Sequence, residues 1–427
     1  MVKPSSPTPP HLRTLKLSYI DQLFRSAYIS FIYFYNNPTH DQTIPNDDDD
    51  LNRTSRLLSE SLSRALTSFY PLAGRLLDSS TVDCNDAGAE LSFACVLSRR
   101  LDEAVLDPDD VEHYLPVGPT AMLSSNPLFL ARVSFFPCGG VAIGIRFSHN
   151  VSDCASVAAF VEAWASRRPR PLSFDFDLSS YFPAREELRE VGVLPDTTTS
   201  EIYRTKRFEF DEAKMAALRR RVGSSVGSTR VELVSAFVLE SLLQVFSSSR
   251  KVVLASHAVN LRPRKKALEN MFGNCIMTSF AYCSAGKDSE LHELVGKLRE
   301  SIRKVDEGYI AGSENGGDVY MGDLYKALSI LAEGETEACL FTSWCGFPFY
   351  EADFGWGRPV RVCPTALAIR NGAIFVDMNR LDEGDNNNSK GKGIEAWVSM
   401  ADDGLKIFEK NFELISDEAK DAAENAC

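Results

Sequence analysis

Between residues 167 and 205 the chain loses both of the periodicities that run through the rest of it. ArgArgProArgPro at 167–171 gives way to a polar, acidic stretch holding Pro183, Pro195 and three threonines at 197–199. Neither a helical face nor an alternating strand can be drawn through it. On either side, segments of two-residue period alternate with segments of 3.6-residue period, the pattern of an α/β protein. A chain divided in this way folds as two α/β lobes joined by a crossover, and 427 residues are too many for one hydrophobic core. The organisation expected is an N-terminal lobe over 1–190, the end of the linker at 191–205 and a C-terminal lobe over 206–427.

Within the first half, Leu58, Leu62, Leu66 and Phe69 recur at helical spacing until Pro71 and Gly74 close the element. A hairpin follows. Ala131, Val133 and Phe135 alternate with their neighbours, Pro137 to Gly140 turn the chain, and Val141, Ile143, Ile145 and Phe147 alternate on the return. Val157, Phe160, Val161 and Trp164 then mark a helix, so His149 to Asp153 lies where a strand hands over to a helix. In the second half, strands are expected near 204–210, 251–261, 338–343, 358–363, 373–378 and 395–400, with helices near 231–246, 289–305, 318–333 and 404–415. The stretch 384–393 is low-complexity and rich in asparagine.

Charge and cysteine content exclude several classes of function. Lys and Arg number 46 against 59 Asp and Glu, a net charge of −13, which disfavours a nucleic-acid or anionic-membrane surface. The ten cysteines show no CxxC pair and no clustered His/Cys spacing, which argues against structural zinc and a disulfide framework. The thiols read as small buried hydrophobes in a reducing compartment. The proline-rich N-terminus has no apolar core of signal-peptide length, and the longest apolar run, 27–35, is too short to span a bilayer. A cytoplasmic protein without membrane insertion is expected.

His149 is the sharpest chemical candidate, because a strand-to-helix junction presents side chains at a domain edge. His-x-x-x-Asp with Asp153 is weak alone: about 0.4 such matches arise by chance among six histidines. His257, inside an apolar strand, reads as a core residue. There is no GxSxG elbow, no GxxxxGK[ST] loop, no GxGxxG after a strand and no HExxH. AspPheGly at 353–355 lacks the HRD loop and glycine-rich loop of a kinase. What remains is one imidazole base, able to deprotonate a hydroxyl or amine for attack on an activated acyl group.

His149-Asn150-Val151-Ser152-Asp153 together with Asp353-Phe354-Gly355-Trp356-Gly357, about 200 residues later in the chain, resembles the BAHD acyl-CoA-dependent acyltransferases of plants. SerPheTyrProLeuAlaGlyArgLeu at 68–76, ValAsnLeuArg at 259–262, PheGlyAsn at 272–274 and ThrSerTrp at 342–344 add to the likeness in the same order. The resemblance implies two similar-sized α/β lobes of the chloramphenicol acetyltransferase-like type with an active-site channel between them, and a monomer. It implies no resident cofactor and no metal. The co-substrate would be acyl-CoA, the acceptor a small-molecule alcohol, and His149 the base in a ternary complex without an acyl-enzyme.

The resemblance also distributes roles. ThrSerTrp places Thr342 and Trp344 as donors to the oxyanion, although Trp344 also fits a core aromatic in a strand. Asp153 is expected to cap the helix or pair with Arg262 rather than to orient the imidazole. Asp353, Gly355, Trp356 and Gly357 are expected to form a supporting turn. A phosphate-rich donor needs a local basic patch in so acidic a chain, and Lys206, Arg207, Ser228, Thr229 and Arg230 are its candidates, with a solvated helix face as the competing reading. LeuSerTyrIleAspGln at 17–22 is similar to acetyl-CoA users acting on alkaloid and terpenoid alcohols. MetPheGlyAsnCys at 271–275 departs by one residue from the TyrPheGlyAsnCys of malonyl-CoA-dependent flavonoid and anthocyanin acyltransferases. An acetyl donor is favoured; N-acylation, a non-catalytic binding member of the fold and a hydrolase stand as rivals.

Overall fold

A computed structural model of the chain describes residues 1–24, 28–36, 48–106, 111–118, 125–166, 173–188, 203–223, 227–247, 251–286, 290–365, 370–378 and 393–424. Two compact units divide it. The first comprises Met1–Pro195, Lys266–Cys275 and Phe347–Thr365; the second comprises Asp196–Lys265, Ile276–Gly346 and Ala366–Cys427. In chain order the elements begin with β1 (Thr14–Lys16), α1 (Tyr19–Leu23), β2 (Tyr28–Tyr35), α2 (Asp48–Ser68), β3 (Arg75–Asp78), β4 (Thr81–Asp83) and β5 (Glu90–Cys95). They continue with α3 (Leu101–Leu106), β6 (Phe129–Phe135), β7 (Val141–Ser148), α4 (Cys154–Ala165), β8 (Tyr203–Phe210), α5 (Glu212–Val222), α6 (Arg230–Val245) and β9 (Val252–Asn260). The rest are β10 (Ile276–Ser284), α7 (Leu291–Lys304), α8 (Glu307–Ala311), α9 (Val319–Ala332), β11 (Thr336–Ser343), β12 (Arg361–Pro364), β13 (Gly372–Asp377), β14 (Ile394–Ala401) and α10 (Asp402–Glu424).

The first unit is built on a five-stranded sheet of order β12-β2-β7-β6-β5 and a small sheet β1-β4-β3. The hairpin expected from alternation is present: β6 and β7 pair antiparallel from Phe135↔Val141 to Phe129↔Phe147. Its central position fixes where β7 ends, and hence where His149 emerges. The stripe Leu58, Leu62, Leu66 faces inward on α2, and α2 is locked to α4 by the indole N–H of Trp164, which donates to the Leu58 carbonyl at 3.1 Å. Phe69, Phe129 and Phe160 complete that packing, with ring centroids 4.9–5.1 Å apart for Phe129–Phe160 and Phe69–Phe160.

The second unit has a six-stranded mixed sheet of order β10-β9-β11-β13-β14-β8, in which β11 runs parallel to β9 and to β13. Leu233, Phe237 and Leu242 of α6, Leu294 and Leu298 of α7, and Phe408 of α10 form one buried cluster with Phe210, Phe341 and Phe375 of the sheet. Such a run of fully buried apolar side chains stabilises the unit by roughly 1.5–3 kcal/mol each before entropy is counted. Strand β10 escaped the sequence pattern because its inward positions are Met277, Ser279, Ala281 and Cys283, a set too weakly apolar to show alternation against its outward neighbours.

The unit boundary corrects the expectation of a C-terminal lobe running unbroken over 206–427. Residues 266–275 and 347–365 fold with the first unit, because β12 pairs antiparallel with β2 (Cys363↔Ile32) and Met271 bridges Asp175. The motif at 353–357 therefore belongs to the first unit. Backbone pairing across 300 residues of chain carries no signature in local periodicity. Of the expected linker, 167–172 and 189–202 lie outside the described residues, as do 379–392 of the asparagine-rich stretch. Residues 173–188 fold within the first unit, with Phe174 and Phe176 packed on Phe272.

Candidate active site

His149 stands in the five-residue turn between β7 and α4, where a backbone carbonyl contact and burial set its state. The α4 N-terminus is capped by Asp153, whose Oδ1 accepts from the Ser156 N–H at 2.8 Å while its backbone remains extended. Its Oδ2 accepts from the Cys275 N–H at 3.1 Å. The helix-capping role expected for Asp153 is thus what its geometry displays. The imidazole is oriented by backbone: Nδ1 lies 3.1 Å from the Ser152 carbonyl oxygen. A carbonyl can only accept, so Nδ1 carries the proton and Nε2 carries the lone pair.

Phe24 stacks on the imidazole at 4.1 Å between centroids and 19° between planes, and Phe147 meets it edge-on at 6.4 Å. This burial holds the imidazole pKa below its ordinary value, against the opposing pull of the Asp153 carboxylate, the Ser152 carbonyl and Asn274. At neutral pH the ring is the free base. A neutral imidazole with a bare Nε2 can take a proton from a hydroxyl.

Two residues to which the sequence assigned no role hold the turn in place. Asn274 donates its side-chain amide to the His149 carbonyl at 2.6 Å and to Asp21 Oδ1 at 2.8 Å. Asp21 is 3% exposed and accepts four hydrogen bonds, from the Ser18 N–H and hydroxyl on Oδ2 and from the Asn274 N–H and amide on Oδ1. Four donors fit the ionised carboxylate, although burial raises its pKa. Ser18 and Asp21 also form a capping box at the start of α1. The strand-like loop 272–274 lies across the start of α4: the Ser156 hydroxyl donates to the Gly273 carbonyl and accepts from its N–H, both at 3.1 Å. Gly273 has φ 142, a conformation that favours glycine.

The Asp353–Gly357 turn closes on itself. Asp353 is exposed and its Oδ1 accepts from the N–H groups of Gly355 and Gly357 at 2.7 and 2.9 Å. Both glycines have positive φ, 101 and 86. The ring of Phe354 sits edge-on to Trp164 at 4.9 Å and to Tyr35 at 5.9 Å, and Trp356 packs on Tyr35 at 5.6 Å. Tyr35 donates its hydroxyl to the Ala352 carbonyl. The motif anchors the edge of the first unit onto β2 and α4.

In the second unit, Thr342 lies on β11 opposite Ile374, and Trp344 follows the strand, 3% exposed, with its backbone N–H donating to the Phe375 carbonyl at 2.8 Å. Arg262 follows β9 and its guanidinium donates to Asn260 Oδ1 at 3.3 Å. The candidate phosphate cations are paired with carboxylates: Lys206 with Glu409, Arg207 with Glu209 and Glu395, and Arg230 with Asp377 at 2.9 Å. Ser228 precedes the N-cap of α6; Thr229 and Glu232 form a reciprocal capping box there. The positive charge of this region is largely compensated within the protein. His257 of β9 is a core residue, as its sequence context suggested, with Nε2 2.9 Å from the Ser235 hydroxyl and its ring 4.7 Å from Phe341.

Among the described residues, no group of three His, Cys, Asp or Glu side chains is placed to hold a metal ion, and no helix is long and apolar enough to cross a membrane. The described cysteines are free thiols. Comparison with known proteins bears on what this arrangement does. The model of the Transferase family matches residues 1–415. Stemmadenine O-acetyltransferase of Catharanthus roseus is 35% identical over 438 residues, covering 96% of this chain and 95% of that protein. Vinorine synthase of Rauvolfia serpentina is 34% identical over 429 residues, covering 96% and 94%. The crystal structure of vinorine synthase shares the fold with a TM-score of 0.77 at 32% identity, over 95% of this chain and 94% of that one.

Proposed function

The chain belongs to the Transferase family, the BAHD acyl-CoA-dependent acyltransferases, and from that membership we propose that it moves a short acyl group, acetyl foremost, from acyl-CoA to a hydroxyl of a plant specialised metabolite. The observation that carries the mechanism is the tautomer of His149: with Nδ1–H tied to the Ser152 carbonyl, Nε2 is the basic atom. Nε2 takes the acceptor hydroxyl proton, and the oxygen attacks the thioester carbonyl in a ternary complex. The tetrahedral intermediate then collapses with release of the CoA thiolate, to which the imidazolium returns the proton. No acyl-enzyme is required.

Thr342 and Trp344 carry the donors proposed for the oxyanion, each typically worth ~2.7–4 kcal/mol of barrier. Asp153 acts by capping α4 and tying it to Cys275, so Asp153→Asn, which keeps one of two backbone contacts, lowers turnover by misplacing His149. Lys206, Arg207, Ser228, Thr229 and Arg230 are the residues proposed for donor phosphates, each of the three cations exchanging a carboxylate partner for the anion. The cytoplasm is the compartment that suits acyl-CoA and free thiols, and a monomer suffices for this chemistry.

The test is thiol release from acetyl-CoA, and separately from malonyl-CoA, with a panel of alkaloid, terpenoid and phenolic alcohols and matching amines. Acetyl-CoA with at least one alcohol turns over in the unaltered protein, and His149→Ala reduces kcat by at least a thousandfold. Equal rates for the two proteins overturn the base assignment; ester cleavage without CoA points to a hydrolase instead.

A further inference from the structure

The first unit contains a cavity of about 1080 Å³ that the acyl-transfer mechanism does not use. One wall is the N-terminal arm from His11 to Leu17; the others are the β3–β4 turn and the segment 174–184. Aromatic and acidic groups meet there. Tyr70, Phe174 and Phe176 contribute rings, Tyr70 and Phe176 having centroids 5.1 Å apart, while Asp78, Asp175 and Asp177 contribute carboxylates. Against these three the lining carries Lys16 and His11.

Two features separate this cavity from a surface dimple with acidic neighbours. Tyr70, one of the lining residues, is only 9% exposed, yet none of the hydrogen bonds among the described residues uses its hydroxyl. Burial, with added repulsion from Cys84, Asp175 and Asp177, pushes that phenol up to about 12, so it stays protonated. The acidic side chains, though exposed, are also oriented by hydrogen bonds. Asp175 Oδ1 accepts from the Asp177 N–H at 2.9 Å, and Asp177 Oδ1 accepts from the Ser179 hydroxyl at 2.8 Å and the Ser180 N–H at 3.1 Å. Phe174 and Phe176 are fixed on Phe69 and Phe272. The rotamer entropy of ordering this site is therefore spent in folding rather than in binding.

Aromatic faces beside fixed carboxylates are the surroundings that bind organic ammonium ions: the ring quadrupole attracts a poorly hydrated cation and the carboxylates supply the counter-charge. An anion would meet three carboxylates, and a neutral hydrocarbon would leave them unanswered. We propose that this cavity is a second small-molecule site that takes an aromatic or alkyl ammonium cation, seated on Tyr70 and Phe176 and facing Asp175 and Asp177. It is independent of His149. The probe is benzyltrimethylammonium, a permanent cation with no hydroxyl or N–H to acylate, so its binding cannot be confused with turnover.

Titration calorimetry at low salt on the full chain is expected to show the probe binding at ~millimolar affinity or better. Benzyl alcohol, with the same ring and no charge, binds at least tenfold more weakly. The double variant Asp175→Asn/Asp177→Asn weakens the probe at least tenfold; asparagine preserves the capping acceptor at 177, and its melting curve checks the fold. Raising NaCl to about 0.5 M weakens binding several-fold in the unaltered protein, a readout that needs no variant. His149→Ala binds the probe as the unaltered protein does. Absence of binding, equal binding of benzyl alcohol, insensitivity to both the double variant and salt, or loss of binding in His149→Ala overturns the proposal. None of these outcomes bears on whether acyl transfer itself occurs.

Discussion

Replacing Asn274 with alanine should destabilise the first unit more at high pH than at low pH. The side-chain amide of Asn274 makes two bonds, 2.8 Å to Asp21 Oδ1 and 2.6 Å to the His149 carbonyl. A hydrogen bond to an ionised group contributes about 1.5–3 kcal/mol and a neutral one about 0.5–1.5, so the loss at pH 7 is about 2–4.5 kcal/mol. Burial raises the Asp21 pKa above 3.8. The native state therefore binds this proton more readily than the unfolded state, and stability declines as pH rises through the window above 3.8. Asn274 opposes that decline by favouring the carboxylate. Without it the pKa rises further and the decline steepens; as pH falls and the carboxyl takes up its proton the bond becomes a neutral one, and the loss shrinks toward about 1–3 kcal/mol. Urea midpoints of both proteins at pH 4 and pH 8 measure the difference, and kcat/KM with acetyl-CoA should fall ten- to about a hundredfold as the His149 peptide shifts. A destabilisation equal at both pH values would refute the reasoning, because it would mean that Asp21 does not carry its charge against Asn274.

Two further outcomes follow from the same geometry. Asp353→Ala removes the acceptor of the Gly355 and Gly357 N–H groups and frees a turn held at positive φ, so it should cost about 1–2 kcal/mol of stability and leave kcat nearly unchanged; a thousandfold fall in kcat in a protein that melts normally would reverse that assignment. His257 titrates at about 3 in the fold because it is buried, against ~6.5 when unfolded. The unfolded state binds its proton between those values, so stability is full above ~6.5 and falls by about 4–5 kcal/mol as pH drops to 3. His257→Gln should flatten that acid limb in thermal melts, and parallel limbs in the two proteins would show the histidine to be uninvolved.

How far the site was legible in sequence differs residue by residue. His149 could be found because the alternation of β7 and the helical spacing of α4 leave a five-residue gap between them, and such local patterns need no partner from elsewhere. Asp153 could be assigned as a cap for the same reason: capping is decided within four residues. Asn274 had no such signal. The PheGlyAsn motif marked its position but not its partners: its two acceptors are 125 and 253 residues away in the chain, and only the fold delivers them. Phe24 stacks on the imidazole from the residue after α1, a contact that no local pattern announces.

The basic residues proposed for phosphates show the opposite case, where sequence overstated what the fold supplies. Lys206, Arg207 and Arg230 cluster within 25 residues of chain, yet cross-strand and helix–strand pairing brings Glu395, Glu409 and Asp377 to meet them. A count of charges along the chain sees the cations and not their distant counter-ions.

By itself the sequence determined that this is an α/β protein of two units, that His149 follows a strand and precedes a helix, and that its motifs are those of the BAHD acyltransferases. Each of these is written in short-range periodicity or in fixed spacing, where sterics and capping act over a few residues. The tertiary structure alone decided that 266–275 and 347–365 fold with the N-terminal residues, that Ser152 and not Asp153 selects the imidazole tautomer, and that Asn274 bridges Asp21 to the His149 turn. These depend on backbone pairing and buried hydrogen bonds between residues far apart in the chain, whose energy is realised only when folding has removed the competing water.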